Sequence, residues 1–152
     1  LLMGGGHCAK AIAEACLPLD WKYSVQDSRA DYATLEGATE THHSCPNDFL
    51  ENETQETLSR FSDILLLGHD WKEDEERLLG LLSKGYTGRL GVIGSKSKWK
   101  AFTNVALEAG IDQETLDGVN CPIGLAIGAE SPEEIAIAVL AEILAAYKGV
   151  NL

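Results

Sequence analysis

The chain has 152 residues, with 24 Asp and Glu against 12 Lys and Arg and a formal net charge of −12. This length suits one domain with a substantial core, and the negative charge argues against nucleic acid and anionic membrane as partners. No apolar run reaches membrane-spanning length, and no basic region precedes the apolar first residues as in a signal peptide. The four cysteines are scattered without CxxC spacing, which is typical of reduced thiols, so we expect a cytoplasmic protein.

Short apolar runs alternate with helical segments along the whole chain. Strands are predicted over 1–3, 21–26, 40–43, 64–67 and 90–93, and helices over 8–17, 51–60, 73–82, 98–109, 112–118 and 132–147. This alternation indicates βαβ units and a parallel sheet. We therefore predict that residues 1–152 form a single three-layer, doubly wound α/β domain that is Rossmann-like, with a mainly parallel sheet.

The loop after the first predicted strand has the pattern of a nucleotide-binding turn. Gly4, Gly6 and Ala9 give G-x-G-x-x-A, in which the first glycine permits the turn and the second lets a phosphate approach the backbone. Asp27 ends the second strand 21 residues after Gly6, where a ribose-binding carboxylate is expected. Arg29 could pair with a 2′-phosphate or with Asp31. The loop either binds a dinucleotide or is a Rossmann-type turn that has lost its nucleotide.

A second loop combines glycine, hydroxyl and cation. No acidic residue lies between Arg77 and Leu107, yet half of the chain's twelve Lys and Arg do. Within this segment, Gly94–Lys98 follows a strand and opens a helix, which favours an anion site with Lys96 as its cation. The glycine spacing is not that of a Walker A loop. The alternative is an ordinary loop with surface lysines.

Two further segments carry candidate chemistry. His69 and Asp70 follow the buried fourth strand and could form an acid–base or metal-binding pair. Cys121 precedes Pro122 in a glycine loop near a helix start, an environment that lowers a thiol pKa, although a small buried residue is an equal interpretation. Cys121 and His69 are the candidate metal ligands.

The last predicted helix has the best-defined start. Ser131 suits the N-cap and Pro132 the first helical position. Glu133 and Glu134 favour the positive end of the helix dipole, and Ser131 and Glu134 have capping-box spacing. Because apolar residues cover nearly every face of this helix, it packs beneath the sheet or forms a subunit interface. A homodimer through it is one hypothesis.

Ligands of doubly wound sheets sit beyond the carboxyl ends of the strands, and the candidate binding residues therefore come from the loops there. They are Gly4, Gly5, Gly6, His7, Asp27, Arg29, His69, Asp70, Gly94, Ser95, Lys96, Lys98, Cys121, Pro122, Ile123 and Gly124.

The motifs G-x-G-H at Gly4–His7, H-D at His69, G-x-I-G-S-x-x-K at Gly91–Lys98 and the stretch 121–141 together resemble the XdhC/CoxI family, the xanthine dehydrogenase accessory proteins. The likeness is to that family's C-terminal, Rossmann-type domain. Trp71 departs from the family pattern, in which a second histidine often occupies that position.

The resemblance implies a maturation factor that binds molybdenum cofactor and helps insert it into a xanthine dehydrogenase-like molybdenum hydroxylase. Such a protein is a cofactor-binding chaperone rather than a catalyst. Full-length members of the family carry an additional N-terminal domain, which this sequence lacks, so a partner subunit supplying that half is a further expectation. The alternatives are an NAD(P)-dependent oxidoreductase, against which stands the absence of a Tyr-x-x-x-Lys pair, and a nucleotide-binding regulatory module.

Overall fold

Five short strands form one parallel sheet in a computed structural model that describes all residues, Leu1–Leu152. The order across the sheet is β3-β2-β1-β4-β5, so the direction of winding reverses between β1 and β4. This order is that of a doubly wound Rossmann-like sheet, which confirms the predicted fold class. The strands are β1 Leu2–Met3, β2 Val25–Asp27, β3 Thr41–His43, β4 Asp63–Leu66 and β5 Arg89–Val92.

Seven α-helices connect and follow the strands. The predicted polar helix over 51–60 is wrong, because one short helix ends at Glu51 and a second covers only Gln55–Leu58, with a break between them. Pro46 occupies the first turn of the earlier one, and the Thr54 side chain caps the later one, so each has its own start signal. The helices are α1 His7–Cys16, α2 Pro46–Glu51, α3 Gln55–Leu58, α4 Trp71–Ser83, α5 Lys96–Glu108, α6 Gln113–Asp117 and α7 Pro132–Lys148.

Strands β1, β2, β4 and β5 are buried between helices on both faces of the sheet, which gives the three layers, whereas the edge strand β3 is not buried. Ile64 and Leu66 of β4 pack into a core cluster with residues of α2–α5, whereas Leu65 and Leu67 pack into a second cluster with α1 and α7. A strand that is covered on both faces has a continuous apolar sequence, because its side chains on both faces are buried and none needs to be polar. No helix combines the length and hydropathy that a membrane span requires.

The segment after α6 extends the sheet beside β5. Asn120 forms a parallel bridge with Gly91, and the N–H of Ile123 donates to the carbonyl of Val92 at 3.0 Å. The Ile123 side chain lies over Gly91, where an added Cβ would come within 2.8 Å of it. This packing places the loop Cys121–Gly124 at the carboxyl end of β5.

Helix α7 runs in the same direction as α1 and packs along it. Its start has a complete capping box between Ser131 and Glu134, with Pro132 in the first turn, as predicted. Its last turn reaches the opposite edge of the sheet, where the Tyr147 hydroxyl donates to Ser62 at 2.7 Å. The apolar surface of α7 is not fully covered, because Ile137 is 62% exposed.

Candidate functional site

The carboxyl ends of all five parallel strands open on one edge of the sheet, called here the rim. The loops beginning at Gly4, Asp27, Gly68 and Gly94 leave the strands there, and the extension beside β5 brings Gly124 to the same edge. Helices α1, α4, α5 and α7 also begin at this edge. The rim is therefore where positive helix ends and glycine loops converge.

Helix α1 is the one α-helix of the seven that begins without a side-chain cap. Its N-cap is Gly6, and a Cβ built on Gly6 would meet no atom within 4 Å. His7 is exposed in the first turn, which contains no acidic residue. The first N–H groups of α1 thus have no side-chain acceptor, and the first turn itself carries no carboxylate, although Glu133 of α7 contributes, after burial, to the raised pKa of Cys8 in that turn.

The other helix starts at the rim are already capped. Asp70 accepts a hydrogen bond from the N–H of Lys72 at 2.8 Å, and Ser95 accepts one from the N–H of Lys98 at 3.2 Å. Ser131 and Glu134 complete the start of α7. Because these side chains already accept hydrogen bonds from the first N–H groups of their helices, those three helix starts offer an anion fewer free donors than the start of α1 does.

The other two glycines of the first loop are needed for close packing. Gly4 has a φ of +113°, and a Cβ there would lie 2.7 Å from the carbonyl carbon of Leu67. A Cβ on Gly5 would overlap the carbonyl oxygen of Tyr32. These glycines let β1 approach β4 and let the segment after β2 lie against the loop, while Gly6 leaves space open.

Asp27 has all its acceptor capacity engaged within the protein. One carboxylate oxygen accepts from the N–H of Gly5 at 2.8 Å, and the Arg29 guanidinium donates to both oxygens at 3.1 and 3.0 Å. Burial favours the neutral acid, but the hydrogen bonds from Arg29 and Gly5 outweigh it and lower the pKa of Asp27 to about 2. The Arg29 guanidinium lies 3.8 Å above the Tyr32 ring. The predicted ribose-binding carboxylate therefore holds the loop together in this structure.

A buried ionic network lies directly under the rim, and sequence reasoning missed most of it. Asp74 of α4 accepts from the Arg77 guanidinium at 2.8 Å, the Lys98 ammonium at 2.9 Å and the N–H of Gly68 at 3.2 Å. Arg77 also donates to the side-chain oxygen of Gln26 in β2 at 3.1 Å. The network ties β2, α4, α5 and the loop after β4 to one carboxylate.

A signal for this network was present in the spacing of α4. Asp74, Arg77, Leu78 and Leu81 are separated by three, one and three residues, so they share one helix face, and all four are buried. Two charged residues on an apolar face indicate a buried ion pair, since neither is found buried alone.

The cation-rich segment does not form a basic surface, which corrects the basis of the predicted second anion site. Arg77 and Lys98 turn inward onto Asp74, and Lys98 is only 4% exposed. Arg89 lies at the opposite edge of the sheet, where it pairs with Asp63. Lys96 remains exposed beside a helix start that Ser95 caps.

His69 and Asp70 lie exposed at the rim, where Asp70 serves as the cap of α4. No three His, Cys, Asp or Glu side chains gather as a metal site would require. Burial raises the pKa of the Cys121 thiol, and the nearby Lys98 opposes this effect only in part. The expectation of a lowered pKa is wrong, because Cys121 packs against the core. Burial likewise raises the pKa of Cys8.

Comparison with known proteins agrees with this architecture. Residues 1–143 match the family model of the XdhC Rossmann domain. The Escherichia coli (strain K12) protein YqeB is 32% identical over 147 residues, which are 95% of this chain and 26% of YqeB. A crystal structure described as a xanthine dehydrogenase from Bacillus halodurans has the same fold, with a TM-score of 0.80 and 22% identity, over 99% of this chain and 42% of that one.

The chain thus spans about a quarter of YqeB and less than half of the solved chain. The family match nonetheless covers the sheet, the glycine loops and most of α7, from the first residue to Ile143. On this evidence of sequence and fold together, the chain belongs to the XdhC family and carries its Rossmann domain.

Proposed function

We propose that this domain binds the phosphate-bearing end of molybdenum cofactor at the start of α1 and helps insert the cofactor into a xanthine dehydrogenase-like molybdenum hydroxylase. Membership of the XdhC family supports an accessory role in the xanthine dehydrogenase system. The hydroxylase apoenzyme would be the client, and a subunit carrying the remaining family domain is a second proposed partner.

The single observation that carries the binding proposal is the uncapped start of α1. The dipole of a ten-residue helix and its free N–H groups attract an anion, and Gly6 leaves room for one to approach the backbone. At the three other helix starts of the rim, a protein side chain already occupies the position that a phosphate oxygen would take.

The residues at the rim fit the phosphate of the cofactor and not its metal. Backbone donors at Gly6–Ala9 suit phosphate oxygens, whereas no cluster of His, Cys, Asp or Glu is available as a ligand set. The cofactor would supply the molybdenum centre that the client needs, and the chain's own residues would hold its organic, phosphorylated part. Release to the client then requires no exchange of metal ligands on this domain.

A nicotinamide dinucleotide is the competing ligand, and the geometry at Asp27 disfavours it. In a dinucleotide site this carboxylate accepts from the ribose hydroxyls, but here Arg29 donates to both oxygens and Gly5 donates to one of them. A ribose would have to displace the Arg29 guanidinium from a buried partner. We therefore favour a protein that binds its ligand without hydride transfer over an NAD(P)-dependent oxidoreductase.

The test uses a substitution that moves stability and binding in opposite directions. Gly6→Asp supplies the missing cap in a position where φ is −74° and the Cβ is unhindered, so the folded state gains about 0.5 kcal/mol. The same carboxylate takes the N–H groups that the phosphate needs. Calorimetric titration with pyrophosphate, and with molybdenum cofactor released anaerobically from a purified molybdoenzyme, should show at least a tenfold loss of affinity.

Ser95→Asp is the matched control, because it adds the same carboxylate at a helix start of the rim that is already capped, and it should retain binding within about threefold. Undiminished binding by Gly6→Asp would exclude α1 as the site. Insertion is tested separately, by activation of a cofactor-free molybdenum hydroxylase with the loaded protein. Steady oxidation of NADPH by the purified chain would instead support the oxidoreductase.

A further inference from the structure

Helix α7 carries an apolar stripe that the fold leaves exposed. Ile137 is 62% exposed and Leu144 is 38% exposed, and the half-buried Ala141 lies between them. Spacings of four and three residues place these three side chains, called here the α7 stripe, on one face of the helix. The neighbouring face, with Val139 and Ile143, is buried in the core cluster shared with α1. The stripe is therefore apolar surface beyond what the fold itself uses.

Opposite charges lie at the two ends of the α7 stripe. Glu133 is exposed in the first turn of α7, four residues before Ile137. Lys148 is exposed in the last turn, four residues after Leu144. Because these spacings are close to one helical turn, both charges lie on the same side of α7 as the stripe. A partner that fits this surface needs a cation at one end and an anion at the other.

The two other carboxylates of α7 already have partners within the chain. Glu134 accepts hydrogen bonds from the N–H groups of Glu130 and Ser131. Glu142 pairs with Arg89 and accepts from the N–H of Gly124. Of the carboxylates on α7, Glu133 is thus the one free to pair with a cation outside the chain.

The pattern on α7 is complementary to itself when the helix is reversed. Ile137 and Leu144 lie equally far from a midpoint just before Ala141, and Glu133 and Lys148 lie equally far from the same midpoint. A two-fold axis there, perpendicular to the helix, brings each member of these pairs against the other member on a second copy. The small side chain of Ala141 lies where the helices cross, which lets their axes approach closely.

We propose that two copies of this chain associate through an antiparallel pair of α7 helices. Ile137 packs against the partner subunit's Leu144, and Glu133 pairs with the partner subunit's Lys148. The antiparallel arrangement also brings opposite ends of the two helix dipoles together. A parallel pair would instead place Glu133 beside the partner subunit's Glu133, which like-charge repulsion disfavours. This inference does not rest on the phosphate site at α1.

The dimer should be weak. One face of a 17-residue helix, about 25 Å long, buries less surface than an interface of standard size. The net charge of −12 on each copy adds a repulsion that 0.15 M salt screens beyond about 8 Å. We therefore expect a dissociation constant on the order of 10–100 μM at that ionic strength.

Sedimentation velocity of the purified chain between about 5 and 200 μM, in 0.15 M NaCl, measures this association. Ile137→Glu places a charge in the apolar contact and should raise the dissociation constant at least tenfold. Leu107→Glu is the matched control, because Leu107 is 43% exposed on α5, which covers the other face of the sheet. It should change the dissociation constant by less than about twofold.

A mixture of two charge variants tests the antiparallel register. Glu133→Lys alone brings cations together at both ends of the interface, and Lys148→Glu alone brings carboxylates together, so each should dimerise more weakly than the wild type. In an equimolar mixture, every end joins a cation to a carboxylate. The mixed dimer should therefore be at least about fivefold tighter than either variant alone. Both side chains are exposed, and circular dichroism melts check that each variant is folded.

Four results would overturn the proposal. The first is a chain that stays monomeric at every concentration, and the second is a dimer that Ile137→Glu leaves intact or that Leu107→Glu weakens equally. The third is a mixture no tighter than the separate variants, because the helices would then not be antiparallel in this register. The fourth is a monomeric chain that binds a molybdenum hydroxylase apoenzyme and loses this binding in Ile137→Glu, which would assign the α7 stripe to the client.

Discussion

Removing the charge of Asp74 should destabilise the domain more than any change at the exposed rim. Asp74 is fully buried, and its two oxygens accept from the Arg77 guanidinium, the Lys98 ammonium and the N–H of Gly68. In Asp74→Asn the side chain keeps one acceptor oxygen but presents its NH₂ group to a cation. Two buried cations then lack an anionic partner.

Breaking a buried ion pair in this way costs about 3–5 kcal/mol, out of the roughly 5–15 kcal/mol that stabilises a domain of ordinary size. At about 2–4 °C per kcal/mol for a chain of this length, the melting temperature should fall by roughly 6–20 °C. Urea denaturation followed by tryptophan fluorescence measures the free energy of unfolding, with circular dichroism as a second probe of two-state behaviour.

Asp70→Asn provides the matched control on the same helix. Asp70 is exposed and caps α4, and because Asn caps as well as Asp, this change should alter the free energy of unfolding by less than about 0.5 kcal/mol. Adding Lys98→Met to Asp74→Asn removes one unpaired cation, so the double variant should lose at least about 1 kcal/mol less than the sum of the singles. If Asp74→Asn were as stable as Asp70→Asn, the network would not stabilise the fold, and our reasoning about it would be refuted.

Two further predictions concern the first glycine loop. Gly5→Ala should lower the free energy of unfolding by more than about 2 kcal/mol, because its Cβ would overlap the Tyr32 carbonyl. Gly6→Ala should lower it by less than about 1 kcal/mol, because its Cβ meets no other atom. Thermal melts that rank the two variants in the opposite order would contradict this packing. Acid should weaken the wild type more than Asp27→Asn. Since folding lowers the pKa of Asp27 from 3.8 to about 2, its charged form stabilises the fold above pH 4, and about 2 kcal/mol of this stabilisation is lost as the pH falls through about 2. Urea curves of the two proteins between pH 6 and pH 2 measure the difference, and a gap that does not narrow in acid would be evidence against the Asp27–Arg29 pair.

The order of strands and helices was predictable because it depends on local patterns. Apolar runs such as Ile64–Leu67 identified strands covered on both faces, and the signals at Ser131 and Pro132 located the start of α7 to the residue. The helix predicted over 51–60 failed because Thr54 is a cap inside a polar stretch, and a cap cannot be told from an ordinary polar residue there. The glycine loops and the Rossmann-like class followed from the same local evidence.

The partners of Lys98 and Asp27 could not all be predicted, because each of these side chains also meets a group that is distant in the chain. Lys98 resembles a surface lysine of an anion loop, yet its ammonium lies on Asp74, 24 residues away in the sequence. Asp27 has the position of a ribose acceptor, yet Arg29 and Gly5 already satisfy it. Along the chain these residues indicated the edge of the sheet at which we propose that a ligand binds, and Gly6, which has no side chain, already leaves the start of α1 uncapped. Only the tertiary structure decided which charged side chains at that edge are paired, since burial requires charges to find their partners inside the molecule.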